Sequence, residues 1–230
     1  DNYNTVPIMI GTNRDEFKPF FIGDRSLVAL DMGFVPRIID DAHFHAVTGY
    51  FNDSWKARGV DEAAMRLTAS QAEAVFAYRF DWDELPTVLG VDLSALMGAM
   101  HAAEIPFIFE SFDDRLMNWV LFSDDNISSR TELSRKMSSY WAEFAYNGSP
   151  GSGRDGKEVP WLAWGSAGKS SIILDSPSDQ GIYMDDTVVT VAYIKEALKN
   201  DTGFSDPDTQ CGIYVRTFRE NFVQAEYEAL

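Results

Sequence analysis

Residues 6–16 read Val6-Pro-Ile-Met-Ile-Gly-Thr-Asn-Arg-Asp-Glu16. The apolar run from Val6 to Ile10 stops at Gly11, and the polar stretch Thr12 to Glu16 follows. An apolar run this short, closed by glycine, predicts a buried strand with a loop leaving it. Residues 75–82 repeat the signal. Val75, Ala77, Arg79 and Asp81 alternate with Phe76, Tyr78, Phe80 and Trp82, and the β-branched and aromatic content favours a strand. The spacing between the two runs is helical. Arg25 to Tyr50 predicts one or two helices interrupted near Gly33 and Pro36, and Asp61 to Glu73 predicts another, with Ala64, Leu67 and Ala72 on one face. Strands joined through helices predict parallel pairing, and so an α/β class with a mostly parallel sheet flanked by helices.

A third stretch, Leu96-Met-Gly-Ala-Met-His-Ala-Ala-Glu-Ile-Pro-Phe-Ile-Phe-Glu110, follows the second strand after a polar excursion from Glu84 to Ser94. His101 is one of three histidines. Gly98, Ala99, Ala102 and Ala103 crowd around it, and such small neighbours let backbone or substrate come close. An imidazole titrates near neutrality and can both take and give a proton. Alternatively it is a buried histidine satisfied by one hydrogen bond. In open α/β sheets functional groups collect at the carboxyl ends of strands, and Glu16 and His101 each follow a predicted strand. A carboxylate that holds an imidazole Nδ1–H fixes its tautomer and stabilises the imidazolium. On chemistry alone Asp15 competes with Glu16 for that role.

These two loops resemble those of the type-B carboxylesterase family, the cholinesterase-like branch of the α/β-hydrolases. The family's acid loop, roughly G-x-N-x-D-E-G-x-x-F, is matched by Gly11, Asn13, Asp15, Glu16 and Phe20. Its histidine loop, roughly G-A-x-H-G-x-E-x-x-F, is matched by Gly98, Ala99, His101, Glu104 and Phe107. Tyr140-Trp-Ala-Glu-Phe-Ala145 with Gly148 and Pro150, then Pro160-Trp161, are similar to a further family block. Phe17 and Ala102 stand where the family has glycine.

The resemblance implies a carboxylic ester hydrolase with a Ser-His-Glu triad and no cofactor, Glu16 and His101 being catalytic. It also implies a small-molecule ester as substrate. Glu104 resembles a buried family glutamate in the polar network beneath the site; on its residues alone it reads equally as a helix-start carboxylate. Phe17, Phe20, Phe21, Phe107 and Phe109 either line an apolar pocket or fill the core.

The nucleophile elbow G-x-S-x-G occurs nowhere in the chain, and neither does a glycine-rich oxyanion loop. Both lie upstream of the acid in the resembled family. The chain also opens on Asp1 without a methionine. The expectation is therefore that residues 1–230 form the C-terminal part of one hydrolase domain, whose partner is an N-terminal portion carrying the serine and oxyanion hole. A cholinesterase-like module with no catalysis, serving adhesion or binding, is the alternative; the presence of both Glu16 and His101 argues against it.

Composition narrows the partners. A net charge of −17 repels phosphate backbones and anionic headgroups, so nucleic acid is excluded. No apolar run reaches the roughly 18 residues of a membrane span. The single cysteine, Cys211, cannot pair within the chain. It fits a reducing compartment and reads as a small buried hydrophobe; for localisation the expectation is a bacterial-like cytoplasm or periplasm. His43-x-His45 reads as a solvated helix face rather than a metal site, because i and i+2 point apart on a helix. Four N-x-S/T triplets, at Asn52, Asn126, Asn147 and Asn200, read as chance occurrences. Further helices are predicted over Ser128 to Tyr146, capped by Ser129 or Thr131, with Leu133, Met137, Tyr140, Trp141, Phe144 and Ala145 as its apolar face and Asn147-Gly148 ending it, over Thr187 to Leu198, and over Thr209 to Tyr227 with Val215, Phe218, Phe222 and Ala225 on one face. Ser171 to Leu174 is a further short strand.

Overall fold

The computed structural model describes residues 3–112, 121–204, 206–219 and 223–227. The first strand, β1 (Ile8–Asn13), leads through a short helix, α1 (Lys18–Phe21), into a hairpin of β2 (Val28–Asp31) and β3 (Val35–Ile38). Helix α2 (Asp41–Lys56) follows, passing without a break through a π-helical turn, Ala57–Asp61, into α3 (Glu62–Ser70). Then come β4 (Val75–Phe80), a small hairpin of β5 (Thr87–Val88) and β6 (Val91–Asp92), α4 (Leu93–Met97) and α5 (Ile105–Ile108). The long helix α6 (Ile127–Asn147) precedes β7 (Ser171–Leu174) and β8 (Tyr183–Asp185). Helices α7 (Val191–Asn200), α8 (Pro207–Thr217) and α9 (Gln224–Tyr227) complete the described chain.

The sheet has the order β1-β4-β7-β8. The first three strands are parallel and β8 is antiparallel to β7. This is the α/β class expected, with the parallel core carried by the three strands that the sequence marked. Among the described residues β1 pairs with β4 alone, so its other edge is open. Gly11 lies opposite Tyr78, and a Cβ on Gly11 would come within 2.2 Å of the Tyr78 ring. The ring instead packs across β1's bare backbone and against Trp141 and Trp161, at 5.1 and 6.2 Å between centroids. Phe76 meets Phe144 at 6.1 Å, so α6 covers this face of the sheet. On the opposite face Arg79 lies within electrostatic reach of Asp53 and Asp61, from α2 and the π-helical turn.

Several elements depart from expectation. Arg25 to Ile38 holds the β2–β3 hairpin instead of a helix, because Met32 and Gly33 take φ of +51° and +83° and reverse the chain. The Glu84–Ser94 excursion holds a second hairpin, turned by Leu89 and Gly90 at +52° and +80°. Helix α6 ends as expected at Gly148, left-handed at φ +70°. At its other end Asn126, rather than Ser129 or Thr131, occupies the cap position, and no side chain makes the capping bond. Ala145 is exposed rather than on the buried face. Helix α7 starts later than predicted, at Val191, because the Thr190 hydroxyl accepts from Tyr193 N at 3.1 Å and caps it. The predicted Thr209–Tyr227 helix is two helices, α8 and α9. Its buried face is Ile213, Tyr214, Thr217 and Phe218, while Val215 is 43% exposed; Phe222 lies outside the described residues.

Candidate active site

The site is built where the loop after β1 meets the loop before α5. Arg14 N and Asp15 N leave the strand by donating to Phe80 O and Ala99 O, at 2.9 and 3.0 Å. Asp15 and Met100 form a parallel bridge. Asn13 Nδ2 donates to both Met100 O and Glu104 Oε2 at 2.6 Å. Residues far apart in sequence are thus joined by main-chain and amide bonds before any acid–base contact is made.

Within this junction the two acidic side chains are fully distinguished. Asp15 faces inward: its Oδ2 accepts from Ala99 N and Arg14 Nε, both at 3.0 Å, and Oδ1 pairs with Lys18 at 2.9 Å. Burial pushes the Asp15 carboxyl up, but Arg14 and Lys18 outweigh it and hold the group below its usual range. Glu16 turns to the histidine. Thr12 Oγ1 and Asn13 N donate to its Oε1 at 3.1 and 2.8 Å, while Oε2 meets His101 Nδ1 at 2.5 Å. One carboxylate oxygen is held by the loop, and the other holds the ring. The His101 side chain is 54% exposed, and among the described residues no group bonds its Nε2.

The loop geometry depends on two small residues. Gly98 has φ +56° and ψ −150°, and a Cβ there would come within 2.2 Å of Asp15 Oδ2. Only glycine tolerates both conditions. Ala102, directly after the histidine, has φ +65°. The glycine of the resembled pattern would suit that backbone, and alanine adopts it under strain. Phe17 is different. Its φ of −95° and ψ of −16° are ordinary right-handed values, so glycine is not required, and its N–H donates to Asn52 Oδ1 at 2.8 Å.

Glu104 stands at the cap position of α5, yet its side chain makes no capping bond there; it accepts from Asn13 instead. Of the phenylalanines, Phe20 is 66% exposed, with its ring 6.1 Å from the His101 ring. Phe17 is half-buried, 5.8 Å from Phe20. Phe107 does not line a pocket. It is fully buried against Phe80 and Trp82 at 5.0 and 4.9 Å, as the buried side chain of α5. Phe21 is core as well, and Phe109 is exposed. Trp55, from the last turn of α2, stands edge-on to His101 at 6.5 Å.

Sequence reasoning missed Thr12, Trp55 and Asn52, the last being noticed only as a glycosylation triplet. Asn52 and Asn126 are buried and hydrogen-bonded. The spacing that signals a strand end shows Thr12; nothing in the sequence ties α2 to the histidine. Among the described residues no group of three His, Cys, Asp or Glu side chains is placed to hold a metal ion. No described helix is long and apolar enough to cross a membrane. Cys211 is half-buried on α8.

A family model described as the carboxylesterase family matches residues 37–185. The chain belongs to the carboxylesterase family. The match includes His101 and begins after the Glu16 loop. This carboxylesterase chain is 26% identical over 189 residues to para-nitrobenzyl esterase of Bacillus subtilis, covering 74% of this chain and 34% of that protein. It is 33% identical over 87 residues to human cocaine esterase, covering 38% of this chain and 14% of that protein. Among solved structures, a carboxylesterase of Geobacillus stearothermophilus superposes with a TM-score of 0.50 at 21% identity, over 78% of this chain and 38% of that one. That likeness establishes a shared α/β-hydrolase fold. The chain spans about a third or less of the length of the curated relatives it matches.

Proposed function

We propose that this chain supplies the acid and the base of a serine carboxylesterase, acting on small carboxylic esters through an acyl-enzyme. The serine hydroxyl and the oxyanion donors come from outside these 230 residues. The observation that carries the reading is the contact of Glu16 Oε2 with His101 Nδ1 at 2.5 Å, beside an exposed imidazole face. With its Nδ1–H donated to Glu16, the ring presents the Nε2 lone pair as base.

Each step then has a residue. Nε2 takes the serine proton as the hydroxyl oxygen attacks the ester carbonyl. Glu16, anchored by Thr12 and Asn13, stabilises the resulting imidazolium. The imidazolium returns its proton to the leaving alcohol, and the acyl-enzyme remains. Water, deprotonated by the same Nε2, releases the acid. Asn13 and Glu104 act as positioning residues, tying the acid loop to the histidine loop. The open edge of β1 and the absence of G-x-S-x-G from the sequence support a further portion that completes both sheet and triad.

The test is hydrolysis of a chromogenic short-chain ester by the protein joined to its nucleophile-bearing portion, with a fluorophosphonate label reporting the serine. His101→Ala is expected to lower turnover by about a thousandfold or more. A His101→Ala protein as active as its parent ends the proposal and leaves the non-catalytic module.

A further inference from the structure

A cavity of about 470 Å³ lies between the end of α2, the π-helical turn and the end of α8, walled by Phe17, Phe51, Trp55, Arg58, Arg216 and Arg219. It shares a wall with the acid–base pair. Phe17 directly follows Glu16, and the Trp55 ring is 5.6 Å from Phe17 and 6.5 Å from His101. In a chain of net charge −17, three guanidiniums converge on this one cavity.

Their charge is poorly compensated. Among the described residues no carboxylate pairs with Arg58 or Arg219, and Arg216 reaches only Asp24, at 3.5 Å across exposed surface. Arg58 donates to Thr217 O at 2.8 Å and lies 5.7 Å from the Phe218 ring centre. Its Nε is buried with no acceptor, and the Thr217 hydroxyl, also on the cavity wall, is buried with no partner. Buried polar groups without partners are rare in folded proteins. Here two residues that line one cavity each keep a buried polar atom without a partner, the Arg58 Nε and the Thr217 hydroxyl, with two further guanidiniums beside them.

We propose that this cavity is a subsite for a carboxylate, so that the preferred esters carry a carboxylate on a short hydrocarbon arm. This rests on the reading of Glu16 and His101 as the acid and base of an esterase. The guanidinium fork matches the two oxygens of a carboxylate. The rings of Phe17, Phe51 and Trp55 supply apolar contact for the arm, and the volume suits a ligand of that size.

The test separates binding from catalysis. The purified protein is titrated with 3-phenylpropionate and with its neutral isostere 3-phenylpropionamide, by calorimetry and tryptophan fluorescence. The carboxylate is expected to bind about tenfold more tightly than the amide, with the preference weakening as salt rises. Arg216→Gln and Arg219→Gln, both on exposed side chains, should each remove most of that preference without changing amide binding. His101→Ala should leave it intact, so loss of hydrolysis and loss of this subsite are read independently. In the active assembly an aryl hemisuccinate should show a lower KM than the aryl butyrate, and Arg216→Gln should raise the first KM alone. Equal binding of acid and amide, a preference indifferent to both arginine substitutions, or equal KM values for the two esters would overturn the proposal.

Discussion

Ala102 holds φ +65°, where the Cβ of an L-residue crowds its own carbonyl at a cost of roughly 1–2 kcal/mol. Glycine escapes that cost but adds about 0.4–1 kcal/mol of unfolded-chain entropy. Ala102→Gly is therefore expected to stabilise the fold by about 0.5–1 kcal/mol, read as a higher urea midpoint with an unchanged slope. Asp175, buried after β7, makes a second prediction at this scale. Burial pushes its carboxyl up to about 7, with Asp81 and Asp179 adding to the rise and the Ser176 N–H and Arg14 opposing it. A carboxyl raised on folding binds its proton more tightly folded than unfolded. Its contribution is fully present below about pH 4 and is lost as pH rises toward 7. Asp175→Asn should therefore be more stable than the parent at pH 8, with the gap closing toward pH 4, as followed by urea melts across pH. Much of the residue-level site was legible. The contact of Glu16 with His101 and the close approach of chain at Gly98 follow from residue types that the sequence shows. The division of labour between Asp15 and Glu16 was not, since two adjacent carboxylates differ only once Arg14, Lys18 and Ala99 N are in place.

At the scale of elements, the strands with strong alternation or a glycine stop were readable, and the long helix α6 was readable from its apolar spacing and Asn147-Gly148 end. The hairpins were not. Their turns carry positive φ on Met32 and Leu89 rather than on the asparagine or aspartate that usually announces such a turn. The π-helical turn is equally silent in sequence. It is pinned by the buried Lys56–Asp61 pair at 2.5 Å and by Val189 N donating to Asp61 at 2.6 Å, the second a contact from 128 positions away that sequence spacing does not reveal. The glycine at position 11, by contrast, makes a definite demand. Gly11→Ala drives a methyl into the Tyr78 ring, which Trp141 and Trp161 keep from retreating. The expected loss is about 1–3 kcal/mol in a thermal or urea melt, the usual range for overpacking.

For the whole molecule, the open edge of β1 and exposed apolar side chains such as Phe20, Phe34 and Leu89 oppose the solubility that a charge of −17 confers. The 230 residues by themselves are expected to show no hydrolysis of a chromogenic short-chain ester and to self-associate as concentration rises, followed by light scattering. Co-expression with the proposed nucleophile-bearing portion should suppress that association. Full activity from the 230 residues alone would overturn this arrangement. One further consequence comes from the cross-linked loops. Glu16 and His101 are 85 positions apart, yet Asn13, Asp15, Ala99 and Met100 rivet the two ends of that span to each other. Of what lies between, the β2–β3 and β5–β6 hairpins stand outside the four-stranded sheet and can be reshaped while β4 and the clasp stay fixed. Those hairpins can then vary in sequence while the Glu16–His101 contact keeps its alignment.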